Sequence, residues 1–486
     1  MTAFVRAREV GRERKTLACA SGSSRPREDT TRGPTSRQQS LAQSRVRQLA
    51  PRLEANHATH RNRRTARSYR FDVGTRLSAG DFAVNTRLVV PLTVAAITCA
   101  AHAQWTVTNL HPAGATESWA YAVSDGKQAG FVIVGGVTHA VLWNGAAASW
   151  ADLHPAGATS SEARAVNSLQ QAGFAIVDGF YRASLWSDTA ASRVDLHPVG
   201  ARHSLVYAAS GEQLAGIVSF AGGMERASLW SGTAASWVDL NPEGATRSLA
   251  MAANGGQQAG WAVVDGVGRA CLWSGTAASW VDLHPAGSAQ SEAYGIDGGR
   301  QVGRIRVGGT TRASLWNGTA ASWVDLNPVG ATTSEAYAVS GGQQVGVAQV
   351  GGVYRASLWS GTAASWVDLH ALLPAEFSSS VAFGISSNGV NTHVVGFARP
   401  GLFGPGQALL WTYTPCAADF DNDGDFANGL TRDGEVTIED LLSFLVGFEA
   451  GNVLVDLDNG TYTGTPDNAV DINDLLFFLA RFEAGC

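Results

Sequence analysis

Cysteine is scarce: five residues in 486, too few for the disulfide-dense frameworks that hold small secreted domains together. Cys19 and Cys99 fall in the N-terminal 103 residues, and Cys271 occupies a repeat position that is Ser in neighbouring copies. Only Cys416 and Cys486 bracket a segment that an oxidising compartment would let them close. Helical periodicity is missing between residues 105 and 415, which excludes a helical bundle there. No apolar run reaches the roughly 20 residues of a comfortable membrane span. Nucleophile elbow, phosphate-binding loop and HExxH are absent too, so the motif-borne chemistries they serve are not expected.

Charge is thin, at 16% Asp, Glu, Lys and Arg with a net of −6, and unevenly spread. The first 87 residues hold 19 of the 35 Lys and Arg and little hydrophobic periodicity, so 1–81 reads as a disordered Arg-rich leader. Arg87, the apolar run from Leu88 and Ala101-His102-Ala103 before Gln104 make a secretory signal over 82–103. Signals normally open a chain, so translation is expected to start near residues 77–87; a transit-like leader is the alternative. Without residues 1–103, 16 basic and 34 acidic residues remain, a net of −18. Such a chain should repel nucleic acid and anionic membranes. The expected location is secreted or cell-surface, with no nucleic-acid partner and no membrane span in the mature chain.

What is present is repetition. Leu-Trp recurs, ending at Trp143, Trp186, Trp230, Trp273, Trp316, Trp359 and Trp411, spaced by 43 or 44 residues except for a last interval of 52. A period of this size marks supersecondary units that cannot bury their apolar faces alone. One copy, Trp323 to Trp366, divides into four short β-like runs: Trp323–Leu326, Ala336–Val339, Val345–Val350 and Arg355–Trp359. Gly, Asn and Pro clusters punctuate them as hairpin turns. Four strands in seven units predict a mainly β chain, with a seven-bladed β-propeller of ~43-residue four-stranded repeats over 104–415. An open β-solenoid is the runner-up, but it needs end caps that are not recognisable. WTVTNL (Trp105–Leu110) reads as a first-strand copy and ALLW (Ala408–Trp411) as a last-strand copy.

The repeated Trp residues are expected to pack between blades. Arg182, Arg226, Arg269, Arg312 and Arg355, with His139 in the first copy, open what reads as the fourth strand. Asp152, Asp195, Asp239, Asp282, Asp325 and Asp368, with Asn109 in the first copy, sit in the first. Their joint recurrence predicts pairing within or between blades. After Asp-Leu the chain alternates His154, His197, Asn241, His284, Asn327 and His370. Zinc would need several such ligands converging on one point, so residues spread around a ring read as turn or strand-end groups.

The repeat resembles the HAF-type extracellular repeat family. The matching residues include Gly342-Gln-Gln-Val-Gly346 with Arg355-Ala-Ser-Leu-Trp359, and Gly256-Gln-Gln-Ala-Gly260 with Arg269-Ala-Cys-Leu-Trp273. The resemblance covers roughly 105–414 and implies an extracytoplasmic propeller-like array with no defined ligand or reaction. Copies depart from it at Arg193, which replaces the Trp of SWVDL, and at Leu205 and Leu249, which replace the Glu of SEA.

After Pro415 the composition changes. From Asp419 to the end there are 15 Asp and Glu against Arg432 and Arg481. Asp419, Asp421 and Asp423 alternate as in an EF-hand-type loop, where carboxylates wrap a hard Ca²⁺ ion. Asp440 follows as a late ligand at the start of an amphipathic helix. The pattern recurs 34 residues later: Ile438, Asp440, Leu441, Leu442, Phe444, Leu445 and Phe448 correspond to Ile472, Asp474, Leu475, Leu476, Phe478, Leu479 and Phe482. Both apolar faces should pack together. Candidate metal ligands are therefore Asp419, Asp421, Asp423 and Asp440 in the first loop, and Asp456, Asp458, Asp471 and Asp474 in the second. Asp425 or Asp433 could stand in within the first.

Residues 416–486 resemble a dockerin-type module, in particular the variety ending in Gly-Cys, here Gly485-Cys486. The resemblance implies a small α-helical, EF-hand-like calcium module that attaches its protein to a cohesin-like partner or surface component. Both loops depart from the family's 12-residue form: Asp419 to Asp440 spans 22 residues and Asp456 to Asp474 spans 19. Gly460 falls where a third acidic ligand is expected.

The resulting expectation is an exported, non-catalytic binding or structural protein whose propeller is joined to a calcium-dependent attachment module, with a glycan among its candidate partners. The competing expectation is a polysaccharide-active propeller enzyme, a lyase or glycoside hydrolase, displayed through the same module. Glycosidases need two carboxylates about 5 to 9.5 Å apart, whereas the propeller's Glu162, Glu292 and Glu335 recur with the repeat, which fits scaffolding better.

Overall fold

The computed structural model describes residues 104–387, 391–401, 404–420, 437–461 and 464–484. Among them lie 28 strands, numbered in chain order, and two α-helices. The strands form seven separate four-stranded antiparallel sheets. The first blade runs outward from β2 (Glu117–Ser124) through β3 (Lys127–Val134) and β4 (Val137–Trp143) to the two-residue β5 (Ala151–Asp152). The innermost strands of the next five blades are β6 (Ser160–Val166), β10 (His203–Ser210), β14 (Arg247–Asn254), β18 (Gln290–Asp297) and β22 (Ala331–Ser340).

The last blade closes the ring. Its order is β1 (Gln104–Asn109), β28 (Gln407–Thr414), β27 (Thr392–Pro400) and β26 (Phe377–Ser387). The N-terminal strand is thus the outer strand of the C-terminal blade, with Trp105 opposite Tyr413 and Val107 opposite Trp411. A closed ring excludes the solenoid. It also shifts the strand frame by one. The WVDL run is the outer strand of the preceding blade, so the Arg-bearing strand is third and the Asp-bearing strand fourth. A periodic sequence carries no phase of its own; only the pairing of β1 with β28 sets it.

Blade-to-blade contact accounts for the repeated phrase. Each of the seven Leu-Trp indoles is fully buried, packed with a Leu that follows the outer strand of the preceding blade. Trp143 meets Leu110, Trp186 meets Leu153 and Trp411 meets Leu369. In the last blade the Trp411 indole N–H also donates to the Leu369 carbonyl at 3.2 Å. The second Trp of the repeat bonds back to strand three. Trp237, Trp323 and Trp366 donate to Ser228, Ser314 and Ser357, and Trp280 donates to Cys271. Arg193 replaces this Trp but donates its Nε–H to Ser184 at 2.8 Å, so the departure keeps the bond.

A second join is polar. In every interface a Ser hydroxyl on the inner strand of one blade accepts the N–H of an Ala on strand three of its neighbour. Ala140 to Ser161, Ala313 to Ser334 and Ala408 to Ser118 are three of the seven, each 2.9 Å. The same Ser meets the His or Asn of the Asp-Leu-His/Asn turn. His154 Nδ1 lies 2.8 Å from Ser161 Oγ, and its Nε2 lies 3.1 Å from the Ala158 carbonyl. Where Asn stands, Ser334 donates to Asn327 Oδ1 at 2.7 Å and Asn327 Nδ2 faces the Ala331 carbonyl. A carbonyl can only accept, so the histidine proton sits on Nε2 and Nδ1 accepts from Ser. His and Asn are therefore interchangeable here as the groups that accept from the inner-strand Ser.

The Arg–Asp pairing joins strands three and four of a single blade, in five of the seven blades. Arg312 to Asp325 and Arg355 to Asp368 are both 2.6 Å. His139 pairs with Asp152 at 2.9 Å. Asn109 donates instead to Gln407, 298 positions away, at 2.7 Å in the closing blade. The two departures at copy one therefore belong to different blades, not to one altered pair.

The C-terminal region holds α1 (Ile438–Ala450) and α2 (Ile472–Ala484). Phe420, Phe444 and Phe478 are fully buried between them, with the Phe444 and Phe478 rings stacked at 4.0 Å. The duplicated apolar positions thus form one core, as their spacing predicts. Cys416 is disulfide-bonded, whereas Cys271 is a free thiol. Cys486 lies outside the described residues, as do the expected leader and signal, so the bridge between Cys416 and Cys486 remains an expectation. No helix among the described residues is long and apolar enough to cross a membrane.

Candidate functional site

Two regions collect polar side chains: the propeller axis and the loops before the two helices. At the axis, every inner strand carries a register shift at one shared position, with a second shift near the start of β22 and β26. The shared shift falls between Ala120 and Ala122 in β2, Ala163 and Ala165 in β6, and Ala382 and Gly384 in β26, with matching shifts in the rest. A β-bulge of this kind kinks the strand and re-aims one side chain. The bulged residues are Tyr121, Arg164, Tyr207, Met251, Tyr294, Tyr337 and Phe383, which form a collar around a cavity of about 220 Å³. Below the collar its walls are Ala, Gly, Val and Ile from the same strands.

The bulge explains the last Gly of the Gly-Gln-x-x-Gly turn. A Cβ on Gly346 would lie 2.0 Å from the Glu335 carbonyl oxygen, well inside any tolerable contact. The equivalent glycine in each of the other six blades meets its own bulge carbonyl at 1.9 or 2.0 Å. The motif thus buys room for the collar.

Two residues before the bulge, side chains form a second layer. Glu292 is 5% exposed and takes both Arg304 Nη2 (3.0 Å) and the Tyr294 hydroxyl. Arg304 Nη1 reaches Glu335 at 2.9 Å, and the Tyr337 hydroxyl donates to the same carboxylate at 3.2 Å. One guanidinium is therefore shared by two acids. Arg164 pairs with Glu162 at 2.6 Å and lies over the Tyr121 ring at 4.1 Å. Burial alone would lower the Arg164 guanidinium, but Glu162 and Tyr121 outweigh it and hold it above its ordinary value. Burial pushes the Tyr121 and Tyr207 hydroxyls up. Where the first and last blades meet, Trp119 stacks on Phe397 at 4.2 Å, and Arg399 sits above both rings. The sequence marked the three Glu as repeat positions; it missed the collar, because the bulged residue changes identity from blade to blade.

In the C-terminal loops, Asp440 and Asp474 are fully buried at the third position of their helices. Asp440 accepts the N–H groups of Thr437 and Phe420. Asp474 accepts those of Asp471, Leu457 and Asp458, at 2.7, 2.5 and 2.9 Å. The bond to the helix start is a capping box; the bond to the loop start is not required by capping and ties each loop's two ends together. Asp456 accepts from Asp467 and Asn468, and Asp458 from Gly460 and Gly464. Asp419, Asp456 and Asp458 are buried. Asp471 is exposed and accepts the Asn473 N–H at 2.7 Å at the opening of α2. Asp421 and Asp423, with Asp425 and Asp433, lie outside the described residues. Among the described residues no three His, Cys, Asp or Glu side chains converge as metal ligands. The donor set itself is hard carboxylate oxygen, which suits Ca²⁺ over softer ions.

No protein-family model matches the chain, and no curated protein does. Solved structures with a similar arrangement include puromycin hydrolase, at a TM-score of 0.46 and 11% identity over 63% of this chain and 54% of that one. The β-propeller domain of the trilobed protease from Pyrococcus furiosus gives 0.41 and 10% over 61% and 95%. Oligogalacturonate lyase in complex with manganese gives 0.40 and 9% over 64% and 98%. This chain thus spans about half the length of the hydrolase and nearly all of the other two. What the molecule has, by its own strand order, is a seven-bladed β-propeller of four-stranded blades followed by a pair of helices.

Proposed function

We propose that this is an exported binding protein of HAF-type repeats, carried by a dockerin-like module that takes Ca²⁺ and attaches the propeller to a cohesin-like partner. The observation that carries the reading is the duplication of Asp440 and Asp474. Each is fully buried, in the first turn of its helix, and reaches back to the start of its own loop. That is where a loop wrapped around a cation needs its late ligand. Asp419, Asp421, Asp423 and Asp440 would hold the ion in the first loop, and Asp456, Asp458 and Asp474 in the second, with Asp471 at its rim. Bound Ca²⁺ would offset the desolvation of these carboxylates and stiffen both loops.

A protein partner is supported by the outer faces of the helices. Ile438, Leu442 and Val446 on α1 are 54%, 56% and 51% exposed; Ile472, Leu476 and Leu479 on α2 are 58%, 43% and 39% exposed. Apolar stripes at helical spacing, repeated on both helices, are the usual footing for a protein groove or face. The enzyme reading would place its acids at Glu292 and Glu335, which Arg304 now bridges. Turnover of a polysaccharide, lost in Glu335→Gln, would favour it.

The test is calcium titration of the full chain by calorimetry, with Asp458→Asn and Asp474→Asn variants. Binding at micromolar or tighter concentration, weakened at least tenfold by either change, is expected. Absence of binding, or binding unaltered in both variants, would remove the calcium module and the attachment role with it.

A further inference from the structure

The propeller axis has its own chemistry, independent of calcium in the tail. The inner strand of every blade has a hydrogen-bonded neighbour on one side only. Its other edge turns toward the axis, so seven strands present backbone N–H and C=O groups to one cavity. Such an edge needs a partner that both donates and accepts. Three classes of occupant can be weighed.

A cation would be drawn to the Tyr and Phe rings of the collar, but two of those rings already carry a guanidinium. The Arg164 guanidinium already lies 4.1 Å from the Tyr121 ring centre, and Arg304 lies 5.7 Å from that of Tyr294. An anion would find both guanidiniums engaged, Arg164 by Glu162 and Arg304 by Glu292 and Glu335 together. It would also face the second carboxylate that Arg304 leaves in excess. A neutral polyhydroxylated ring meets neither obstacle. Its hydroxyls donate and accept, matching the strand edges, and its C–H groups suit the aromatic lining supplied by Tyr207, Tyr337 and Phe383. The Tyr207 hydroxyl makes no side-chain hydrogen bond among the described residues, although the residue is half-buried. The cavity, about 220 Å³, is below the roughly 300–1,000 Å³ of sites for larger ligands, which limits the occupant to a single ring.

We propose that the bulge collar and the cavity beneath it form a binding site for one neutral pyranose ring, either free or at the end of a glycan. Such a site gives the propeller a ligand of its own, and it holds whether or not the tail binds Ca²⁺.

The test titrates the full chain, in EDTA, with glucose, galactose, mannose, galacturonate and choline, read by calorimetry and by aromatic fluorescence. Expected is one-to-one binding of at least one neutral sugar with a dissociation constant on the order of 1 mM or tighter. Tyr337→Ala should weaken it at least tenfold, and Tyr207→Phe by a few fold. Because Tyr337→Ala removes packing as well, Met251→Trp provides a second route: it adds bulk at a bulge position that is aromatic in five of the seven blades, crowds the collar and should abolish binding. Absence of binding by all three neutral sugars would overturn the proposal. So would binding of only galacturonate or choline, and so would sugar binding that survives Met251→Trp, since that would place it elsewhere.

Discussion

The joins between blades and the collar at the axis use the same repeat in opposite ways. At the joins, seven copies keep one solution: a Trp against a Leu, and a Ser between an Ala N–H and a His or Asn. At the collar the same repeat holds the backbone constant, with its bulge and its glycine, and lets the side chain vary from Tyr to Arg to Met to Phe. Uniformity around the interfaces is what an array of equal neighbours requires. Variation where all seven strands meet is what a site requires. The lesson is that in a propeller the scaffold and the candidate site are separated by position within the repeat, not by position along the chain.

The comparison breaks most visibly if an interface residue proves dispensable. Trp359→Ala should cost roughly 3–5 kcal/mol, since it empties a fully buried indole site between blades; a denaturant melt checks this, and a loss under 1 kcal/mol would contradict the packing role. Ser334→Ala should cost roughly 1–3 kcal/mol, because it leaves the buried Ala313 N–H without its acceptor. The collar change Tyr207→Phe, by contrast, should leave the melting temperature within a degree or two.

The Ser joins also predict an acid response. Burial lowers the pKa of His111, His154, His197, His284 and His370, whose Nδ1 must stay unprotonated to accept from Ser. Just below the ordinary histidine value of about 6.5, the unfolded chain then binds more protons than the folded one. Stability therefore rises with pH in that window and is lost as pH falls through it. Acidic side chains on the other faces of these joins, such as Asp152 beside His154 and Asp282 beside His284, act in the opposite direction but are outweighed by burial. Replacing His154, His197 and His284 by Asn, as the protein itself does at Asn241 and Asn327, should flatten the melting temperature between pH 7 and 5.5. An unchanged slope would sink the proposed tautomer.

The smallest effect sharpens the comparison from the outside. Arg312→Ala should cost less than about 1 kcal/mol, because the Arg312–Asp325 pair is about a third exposed and solvent screens it. Recurrence in five blades does not make an ion pair strong.

The seven units, their four strands and the interfacial Trp were legible because they recur at a fixed spacing. The His and Asn positions were legible as turn residues, but their Ser partner was not singled out, although Ser118, Ser161, Ser204, Ser248, Ser291, Ser334 and Ser380 recur without exception. The strand frame was misread by one, since seven first-strand and seven last-strand copies can be counted with either phase. The collar was hidden because a bulge is a backbone event. Its only trace is an obligatory glycine such as Gly346 across from a residue of variable type. In the tail, the paired Phe positions predicted the helix core; the acids marked the loops, but spacing alone could not separate Asp471 at the helix start from the buried Asp474.

The seam of the ring joins Thr106 to Thr412 across 306 positions of chain. During synthesis at about 5–20 residues per second, the first strand therefore waits on the order of 15–60 s for its mate to emerge. Until then six blades can stack, but β1 is an orphan and the sixth blade has one bare flank. A ribosome that stalls or terminates before residue 407 releases an open arc with sticky ends, and neighbouring arcs can complete each other's seam. Closing the circle is thus the last and most error-prone moment in this molecule's life history, and the concentration of nascent chains should decide how often it goes wrong.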